Sequence, residues 1–399
     1  MRYSDAVFSF LVATAVAAAA TPLAARLARR LGAVDHPRER GLSQRATPLL
    51  GGLAILLAVL VAGWIWLPSE IFLRHVKGGL PGPGGQVHMW AVIAGACLIT
   101  LVGAIDDVRD LPPAIKLVGQ VAAALIAVKG GAVVTSVTLP FLGQLTFPNA
   151  GGVLTVLWLV GLMNVVNFSD GVDGLAAGLC TIDGVAFAII AFDLHVSGAP
   201  ILAAITAGGA LGFLFHNFYP ASVFMGDAGA NLLGYLLGVT AVIGSLKTNA
   251  LVALIVPLVI LVIPFLDTGF VIAKRLKYRR KPWSADANHF HHRMARIGFS
   301  QRKTVIYLYA WSFLMASLAV GVRIVSHHHA KQAGWIAGLL VFAVVCAAAS
   351  VYLIYVLEIF KFKGLRTFEM RRDDPDASEQ EIDERVAKDI ETGEFEKVK

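Results

Sequence analysis

The segment AVIAGACLITLVGAI, residues 91–105, contains no charged side chain, and two adjacent carboxylates, Asp106 and Asp107, follow it directly. An α-helix rises about 1.5 Å per residue, so an apolar run of about 17 to 25 residues crosses the hydrocarbon core of a bilayer. With Met89 and Trp90 the run reaches the lower end of that range. The segment therefore predicts a membrane-spanning helix that ends in two acidic residues.

Ten further apolar runs predict further spans, and the composition agrees with them. Hydrophobic residues make up 57% of the chain and charged residues 15%, against about 45–50% and about 25% in soluble domains. A water-soluble globule, a disordered chain and a secreted disulfide scaffold are therefore excluded. We predict an all-α polytopic integral membrane protein with about eleven transmembrane helices. The predicted spans are 6–25, 49–67, 89–105, 114–129, 151–166, 175–194, 200–216, 229–246, 250–273, 304–324 and 334–360.

The basic residues predict the orientation of these spans. If the N-terminus lies outside, 27 of the 34 Lys and Arg residues fall in inner loops and the C-terminal tail. Cytoplasmic loops carry such an excess, which favours N-out, C-in and explains the net charge of +7 without a nucleic acid partner. Residues 1–360 are predicted to form the transmembrane domain, and 361–399 a charged cytoplasmic tail. Glycines, β-branched residues and a turn at 130–150 predict a small β-hairpin on the outer face.

Most acidic residues before the tail are predicted to lie at one membrane face. A carboxylate within hydrocarbon is costly and therefore indicates function. The surrounding inner loops contain few basic residues, chiefly Arg109 and Lys116, and hard oxygen ligands in excess favour Mg²⁺ when phosphates complete its shell. Asp183 and Asp193 are predicted nearer the outer side and are interpreted as structural. The converging carboxylates are Asp106, Asp107, Asp110, Asp170, Asp173, Asp227, Asp267 and Asp286.

Three polar segments are candidates for the site. Asn164, Asn167, Asp170 and Asp173 recur every three residues, which predicts a polar stripe on one side of a helix that unwinds at its glycines. Asp227 lies between glycines before a span, where backbone N–H groups and a helix N-terminus are expected to meet an anion. A third segment, in a basic inner loop, is predicted to bind phosphate or exchange protons, with a zinc site as the competing interpretation. Its residues are His289, His291, His292 and Arg293.

In this order the segments resemble the polyprenyl-phosphate N-acetylhexosamine-1-phosphate transferase family, which includes the MraY, WecA and TagO enzymes of bacterial cell envelopes. The histidine loop and the number of spans look closer to the WecA and TagO branch than to MraY. Ser43, Ala230 and Ala287 depart from residues common in the family and bear on the sugar more than on the reaction. The motifs are Thr-Pro-x-x-Gly-Gly at 47–52, the Asp-Asp pair, Asn-x-x-Asn-Phe-x-Asp-Gly-x-Asp-Gly at 164–174, Phe-x-Gly-Asp-x-Gly at 224–229, Pro-x-x-Asp-Thr at 264–268 and His-x-His-His-Arg at 289–293.

The resemblance implies transfer of a HexNAc 1-phosphate, with GlcNAc preferred, from a UDP-sugar to undecaprenyl or decaprenyl phosphate. It implies a bacterial cytoplasmic membrane protein whose active site faces the cytoplasm, with a homodimer as a candidate assembly. Asp106, Asp107 and Asp227 are the implied ligands of Mg²⁺, with Mn²⁺ as an alternative. The implied catalytic residues are these three with His289, His291 and His292. The implied substrate-binding residues are Thr47, Lys116, Asn164, Asn167, Asp170, Asp173, Asn217, Phe224 and Arg293.

Two other functions compete with this interpretation. Asp106-Asp-Val-Arg-Asp110 also spells the Asp-Asp-x-x-Asp motif with which membrane prenyltransferases bind isoprenoid diphosphates, but that function leaves the histidine loop unexplained. A secondary transporter also uses intramembrane acids and broken helices. Transport favours carboxylates near the middle of the bilayer, whereas these are predicted at one face.

Overall fold

The long apolar runs of the sequence fold as α-helices. The computed structural model describes residues 3–35, 46–72, 86–134, 136–139, 143–147, 149–194, 198–245, 300–329, 332–356, 378 and 381. The helices within these ranges are α1 (Tyr3–Leu31), α2 (Gly51–Trp66), α3 (Met89–Arg109), α4 (Pro113–Lys129), α5 (Gly151–Ser169), α6 (Leu175–Asp193), α7 (Ala199–Asn217), α8 (Gly226–Ser245), α9 (Gln301–His328) and α10 (Ala333–Val356). Residues 1–346 form one compact unit, and the described part of a second unit, 347–399, is the end of α10 with Ser378 and Glu381.

Eight of the described helices are long and apolar enough to cross a membrane: α1, α3 and α5 to α10. The all-α polytopic architecture is therefore confirmed. Two more predicted spans are helices of 16 residues (α2) and 17 residues (α4). The predicted span 250–273 lies outside the described residues, so the total of eleven stays a prediction.

Three short antiparallel strand pairs connect helices. The pair β5 (Ser136–Leu139) with β6 (Gly143–Thr146) confirms the hairpin predicted at 130–150. The pairs β1 (Val34–Asp35) with β2 (Thr47–Pro48), and β3 (Glu70–Phe72) with β4 (Gln86–His88), were not predicted. Strands of two or three residues are too short to show an alternating hydrophobic pattern, so the sequence carries no periodic signal for them.

Almost all of α8 is buried, because α2, α3, α5 and α7 pack around it. Small residues permit this closeness: a Cβ on Gly52 would lie 2.2 Å from the backbone nitrogen of Gly229, and a Cβ on Gly103 would lie 2.5 Å from Cα of Ala228. Membrane helices associate largely through such van der Waals packing, since lipid supplies no hydrophobic drive between them. The first turn of α8 is thereby held against α2 and α3.

Gly103→Ala is expected to destabilise the bundle, because the three atoms nearest to its Cβ would be backbone atoms of Asp227 and Ala228, which cannot rotate away. Overpacking of this kind costs about 1–3 kcal/mol, so the thermal midpoint in detergent should fall by several degrees. Gly161→Ala is the matched control, since a Cβ there meets nothing within 4 Å. An equal midpoint for both variants would show that the close packing contributes little to stability.

The two acids interpreted as structural join α6 to α9. Ser312 Oγ donates a hydrogen bond to Asp183 Oδ1 at 3.1 Å, within the buried interface. Near the far end of α6, Asp193 contacts Arg323 Nε at 2.5 Å and His328 Nε2 at 2.6 Å. Each acid thus contacts at least one side chain of α9.

Candidate active site

Three carboxylates and one ammonium group meet at one end of the helix bundle. Asp106 and Asp107 lie in the last turn of α3, Asp227 in the first turn of α8, and Lys116 in the first turn of α4. One oxygen of each carboxylate lies within 4.8 Å of the others. Lys116 Nζ lies 2.5 Å from Asp106 Oδ2 and 3.0 Å from Asp227 Oδ2. We call these four residues the carboxylate cluster.

The turn between α3 and α4 brings Lys116 back to Asp106. The helix α3 ends at Arg109 and is capped by Asp110, whose φ of 48° is left-handed, and the prolines that follow cannot continue the helix. Pro113 then starts α4. A proline is tolerated there because the N–H of the first helical residue makes no hydrogen bond within the helix. Asp106 Oδ1 closes the turn by accepting a hydrogen bond from the backbone N–H of Leu111 at 2.7 Å.

Asp107 caps the N-terminus of α8. Its Oδ1 accepts from the backbone N–H of Asp227 at 2.8 Å, and its Oδ2 from that of Ala228 at 3.3 Å. The first N–H groups of a helix have no helical acceptor and attract negative charge. Gly226, with φ of 69°, leaves room for this, since a Cβ there would lie 2.2 Å from Asp107 Oδ2. The anion that these N–H groups meet in the structure is the carboxylate of Asp107.

The polar stripe at the end of α5 faces the carboxylate cluster. Asn167 Nδ2 donates to Asp227 Oδ1 at 2.8 Å. Asp170 follows the last helical residue, and burial together with the negative charges of Asp227 and Asp107 raises its pKa well above the usual range. Burial also raises the pKa of Asp173, whose Oδ2 accepts from the backbone N–H of Ala221 at 2.9 Å. The stripe brings further carboxyl and amide groups to the same end of the bundle.

Three other predicted site residues make contacts within the protein. Asn217 is 1% exposed, with Oδ1 accepting from Gly174 N at 3.0 Å and Nδ2 donating to the Val223 carbonyl at 2.9 Å. The side chain of Thr47 is 4% exposed, in β2. Phe224 donates its backbone N–H to the Pro48 carbonyl at 2.9 Å. Asn217 and Thr47 therefore lie beneath the surface of the site, where they shape its backbone.

A second polar layer, which the sequence analysis missed in part, lies one helical turn deeper. Gln120 Nε2 donates to Asn231 Oδ1 at 2.8 Å, and Asn164 Nδ2 donates to Gln120 Oε1 at 2.9 Å. Asn231 Nδ2 then donates to the carbonyl of Asp227 at 2.8 Å. We call Gln120, Asn164 and Asn231 the amide layer. Their spacing in the sequence could have indicated this layer, because Gln120 follows Lys116 and Asn231 follows Asp227 by four positions, which is about one helical turn.

Comparisons with known proteins agree with this geometry. A family profile described as glycosyl transferase family 4 matches residues 89–245, from α3 to the end of α8. A protein of Bacillus subtilis (strain 168) named probable undecaprenyl-phosphate N-acetylglucosaminyl 1-phosphate transferase is 34% identical over 327 residues, covering 79% of this chain and 85% of its own length. The chain belongs to the polyprenyl-phosphate N-acetylhexosamine-1-phosphate transferase family. The family resemblance of the sequence motifs is thereby confirmed.

Two further relatives show the breadth of this transferase family. The decaprenyl-phosphate N-acetylglucosaminephosphotransferase of Mycobacterium leprae (strain TN) is 35% identical, covering 77% of this chain and 81% of its own length. A phospho-N-acetylmuramoyl-pentapeptide-transferase of Desulforamulus reducens is 32% identical, with coverages of 77% and 91%. Each match extends far beyond the profile region, so this chain shares most of its length with the transferases.

The carboxylate cluster of this family member suits a small divalent cation. Its four groups carry three negative charges and one positive charge when ionised, so a net negative charge remains for a cation to neutralise. Carboxylate oxygens are the hard ligands that Mg²⁺ and Mn²⁺ prefer. The predicted residues His289, His291, His292 and Arg293 lie outside the described residues, so their place in the site stays a prediction.

Proposed function

We propose that the protein transfers N-acetylglucosamine 1-phosphate from UDP-N-acetylglucosamine to polyprenyl phosphate, forming polyprenyl-diphospho-N-acetylglucosamine and UMP. This would be the initiating membrane step of a cell-envelope glycopolymer. The observation that carries the proposal is the carboxylate cluster at one end of a membrane helix bundle. Support comes from relatives that are named as N-acetylglucosamine 1-phosphate transferases acting on undecaprenyl and decaprenyl phosphate.

The proposed reaction transfers the sugar together with the phosphate at its position 1. An oxygen of the lipid phosphate attacks the β-phosphorus of the UDP-sugar, and the bond from that phosphorus to the oxygen bridging the α-phosphate breaks. UMP leaves with the electron pair of the broken bond. Because both substrates are anionic, the site has to neutralise their charge. A Mg²⁺ ion held by Asp227, Asp106 and Asp107, with Mn²⁺ as an alternative, would supply charge neutralisation and Lewis acidity when bound.

Different residues around the cluster would bind the two substrates. Lys116, whose ammonium group contacts Asp106 and Asp227, would bind the lipid phosphate. Asn167, Asp170 and Asp173 would bind the nucleotide at the end of α5. The histidine loop would contact the diphosphate or the sugar through His289, His291, His292 and Arg293. Asn217, Asn164 and Thr47, whose side chains make contacts within the protein or lie buried, would hold these groups in place, and Phe224 would line the nucleotide site.

We further propose eleven spans with the N-terminus outside, so that the active site faces the cytoplasm, the source of sugar nucleotides. Residues 361–399 would then be a cytoplasmic tail behind the transferase domain. The asymmetry of the loop charge supports this orientation, because the inner loops and the C-terminal tail together hold 27 of the 34 basic residues.

Cysteine labelling tests this orientation. In a variant without the native cysteines Cys97, Cys180 and Cys346, a cysteine at Ser284 is expected to react with an impermeant thiol reagent only after cells are opened. A cysteine at Ser326 should react in intact cells. Labelling in the opposite sense would place the active site outside and contradict a cytoplasmic sugar donor.

The function itself is tested by UMP release. Purified full-length protein in detergent with Mg²⁺ is expected to release UMP from UDP-N-acetylglucosamine only when polyprenyl phosphate is present, and EDTA should abolish the release. A panel of UDP-sugars under the same conditions tests the choice of sugar. Release of UMP without the lipid, or none with any UDP-sugar, would contradict the proposal.

A further inference from the structure

The helices α4, α5 and α8 each carry one residue of the amide layer. Each also carries a residue at the site itself, which is a member of the carboxylate cluster on α4 and α8 and, on α5, the Asn167 that contacts Asp227. On α4 these are Lys116 and Gln120, four positions apart. On α8 they are Asp227 and Asn231, again four apart. On α5 they are Asn167 and Asn164, three apart in the opposite chain direction. Residues at these spacings share a helix face about one turn apart, so the amide layer directly underlies the charged residues.

The amide layer forms a directed chain of hydrogen bonds across the three helices. The donors run from Asn164 to Gln120, from Gln120 to Asn231, and from Asn231 to the carbonyl of Asp227. Asn164 is also tied to its own helix, because its Nδ2 donates to the Val160 carbonyl at 2.8 Å. The rotation of α4 is thus fixed relative to α5 and α8 by the two ends of one side chain, Gln120.

Because these amides are buried, losing any of these hydrogen bonds would cost free energy. Gln120 and Asn231 are each 5% exposed, and a buried amide without a partner costs about 1–3 kcal/mol. Apolar packing alone would hold three helices together without such groups. The directional hydrogen bonds of the amides specify one rotation of each helix about its axis, whereas apolar contacts tolerate several rotations.

We infer that Gln120 and Asn231 are positioning residues for the phosphoryl transfer, an inference that rests on the proposed function. Gln120 fixes the rotation of α4, which aims Lys116 at Asp106 and Asp227. Asn231 holds the first turn of α8, which carries Asp227. Neither side chain contacts the substrates, because the charged residues lie between the amide layer and the open end of the site.

The inference predicts a specific kinetic effect. Charged groups that stabilise the transition state lose effect steeply when displaced, and a shift of about 1 Å can cost about a hundredfold in rate. Binding of the uridine group depends on the end of α5 and should change little. Loss of the amide layer should therefore lower kcat and raise the KM for polyprenyl phosphate, which Lys116 binds, and leave the KM for the UDP-sugar nearly unchanged.

Two variants of the full-length protein test this. Gln120→Asn shortens the side chain so that it cannot reach both Asn164 and Asn231. The double variant Gln120→Leu with Asn231→Leu removes both partners of one hydrogen bond, which leaves no amide unpaired because Asn164 keeps the Val160 carbonyl. For each we expect kcat of UMP release to fall about tenfold or more and the KM for polyprenyl phosphate to rise, with the KM for the UDP-sugar within about threefold of the wild type. The thermal midpoint of the double variant should stay within a few degrees of the wild type.

Trp158→Phe is the matched control. The indole Nε1 of Trp158 donates to the Gly238 carbonyl at 3.2 Å, so it also links α5 to α8, but Gly238 lies about 16 Å along α8 from Asp227. We expect it to alter stability and leave kcat unchanged. A stable double variant with wild-type kcat would overturn the inference, and should that variant not fold, wild-type kcat in Gln120→Asn would do so. Wild-type protein that released no UMP would contradict the proposed function and the inference together.

Discussion

Asp227→Asn is expected to reduce UMP release by at least about a hundredfold while the protein still folds. Asp227 makes contact on both sides: its Oδ1 accepts from Asn167 and its Oδ2 contacts Lys116. An asparagine removes the charge and turns one of these oxygens into an N–H donor that faces another donor. A hundredfold loss corresponds to about 2.7 kcal/mol of transition-state stabilisation, a loss typical of removing one electrostatic contact in an active site.

The control for this variant is Asp110→Asn. Asp110 is an exposed carboxylate four residues beyond Asp106, outside the carboxylate cluster. It should retain activity within about threefold of the wild type, as surface changes usually do. Near-normal turnover in Asp227→Asn, at an unchanged thermal midpoint, would show that this carboxylate does not act on the reacting phosphates.

Asp170→Ala and Lys116→Ala are expected to weaken different substrates. Loss of a ground-state contact mainly raises the KM of the substrate that made it. A hydrogen bond to a charged group contributes about 1.5–3 kcal/mol, so each KM should rise about tenfold to a hundredfold. For Asp170→Ala the affected substrate is the UDP-sugar, and for Lys116→Ala it is polyprenyl phosphate.

These two variants act as controls for each other. A loss of folding would raise both KM values or reduce the active fraction, so the thermal midpoint in detergent must be measured beside the kinetics. If Asp170→Ala weakened only the lipid, or Lys116→Ala only the nucleotide, the proposed division of the site would have to be reversed.

The sequence predicted the helices and the acids at the ends of α3 and α5 and at the start of α8 because both depend on local patterns, whereas Asp267 and Asp286 lie outside the described residues. Apolar runs must be about 20 residues long to cross a bilayer, and charges accumulate where such runs end. Asp106 and Lys116 illustrate the success, since the first was expected at the end of a span and the second one turn into the next. The stripe from Asn164 to Asp173 was visible because its period of three is also local.

What the sequence did not reveal are partners that lie far apart along the chain. Asp107 caps a helix that begins more than a hundred residues later, and no local pattern shows that a carboxylate will cap a helix so distant along the chain. Gln120 and Asn231 are single amides inside apolar runs. Such an amide faces a neighbouring helix or reaches toward the membrane surface, and only the packing of α4 against α5 and α8 decides between these positions. The burial of Asn217 also follows from packing.

The amide layer has a consequence for the permeability of the membrane. A cluster with net negative charge at the end of a helix bundle attracts protons and cations, and in a channel such a cluster forms the entrance to a conducting path. Here Gln120 and Asn231 bond to each other beneath it, and the next turns of the three helices present Ala124, Leu159 and Tyr235, each with 0% exposure. An ion that enters the site therefore meets paired amides and then these close-packed side chains, whose one hydroxyl group, that of Tyr235, already donates to the Val92 carbonyl and leaves little to replace the hydration shell of the ion. We expect the protein to hold a reactive charged site in the bilayer without dissipating the ion gradients across it.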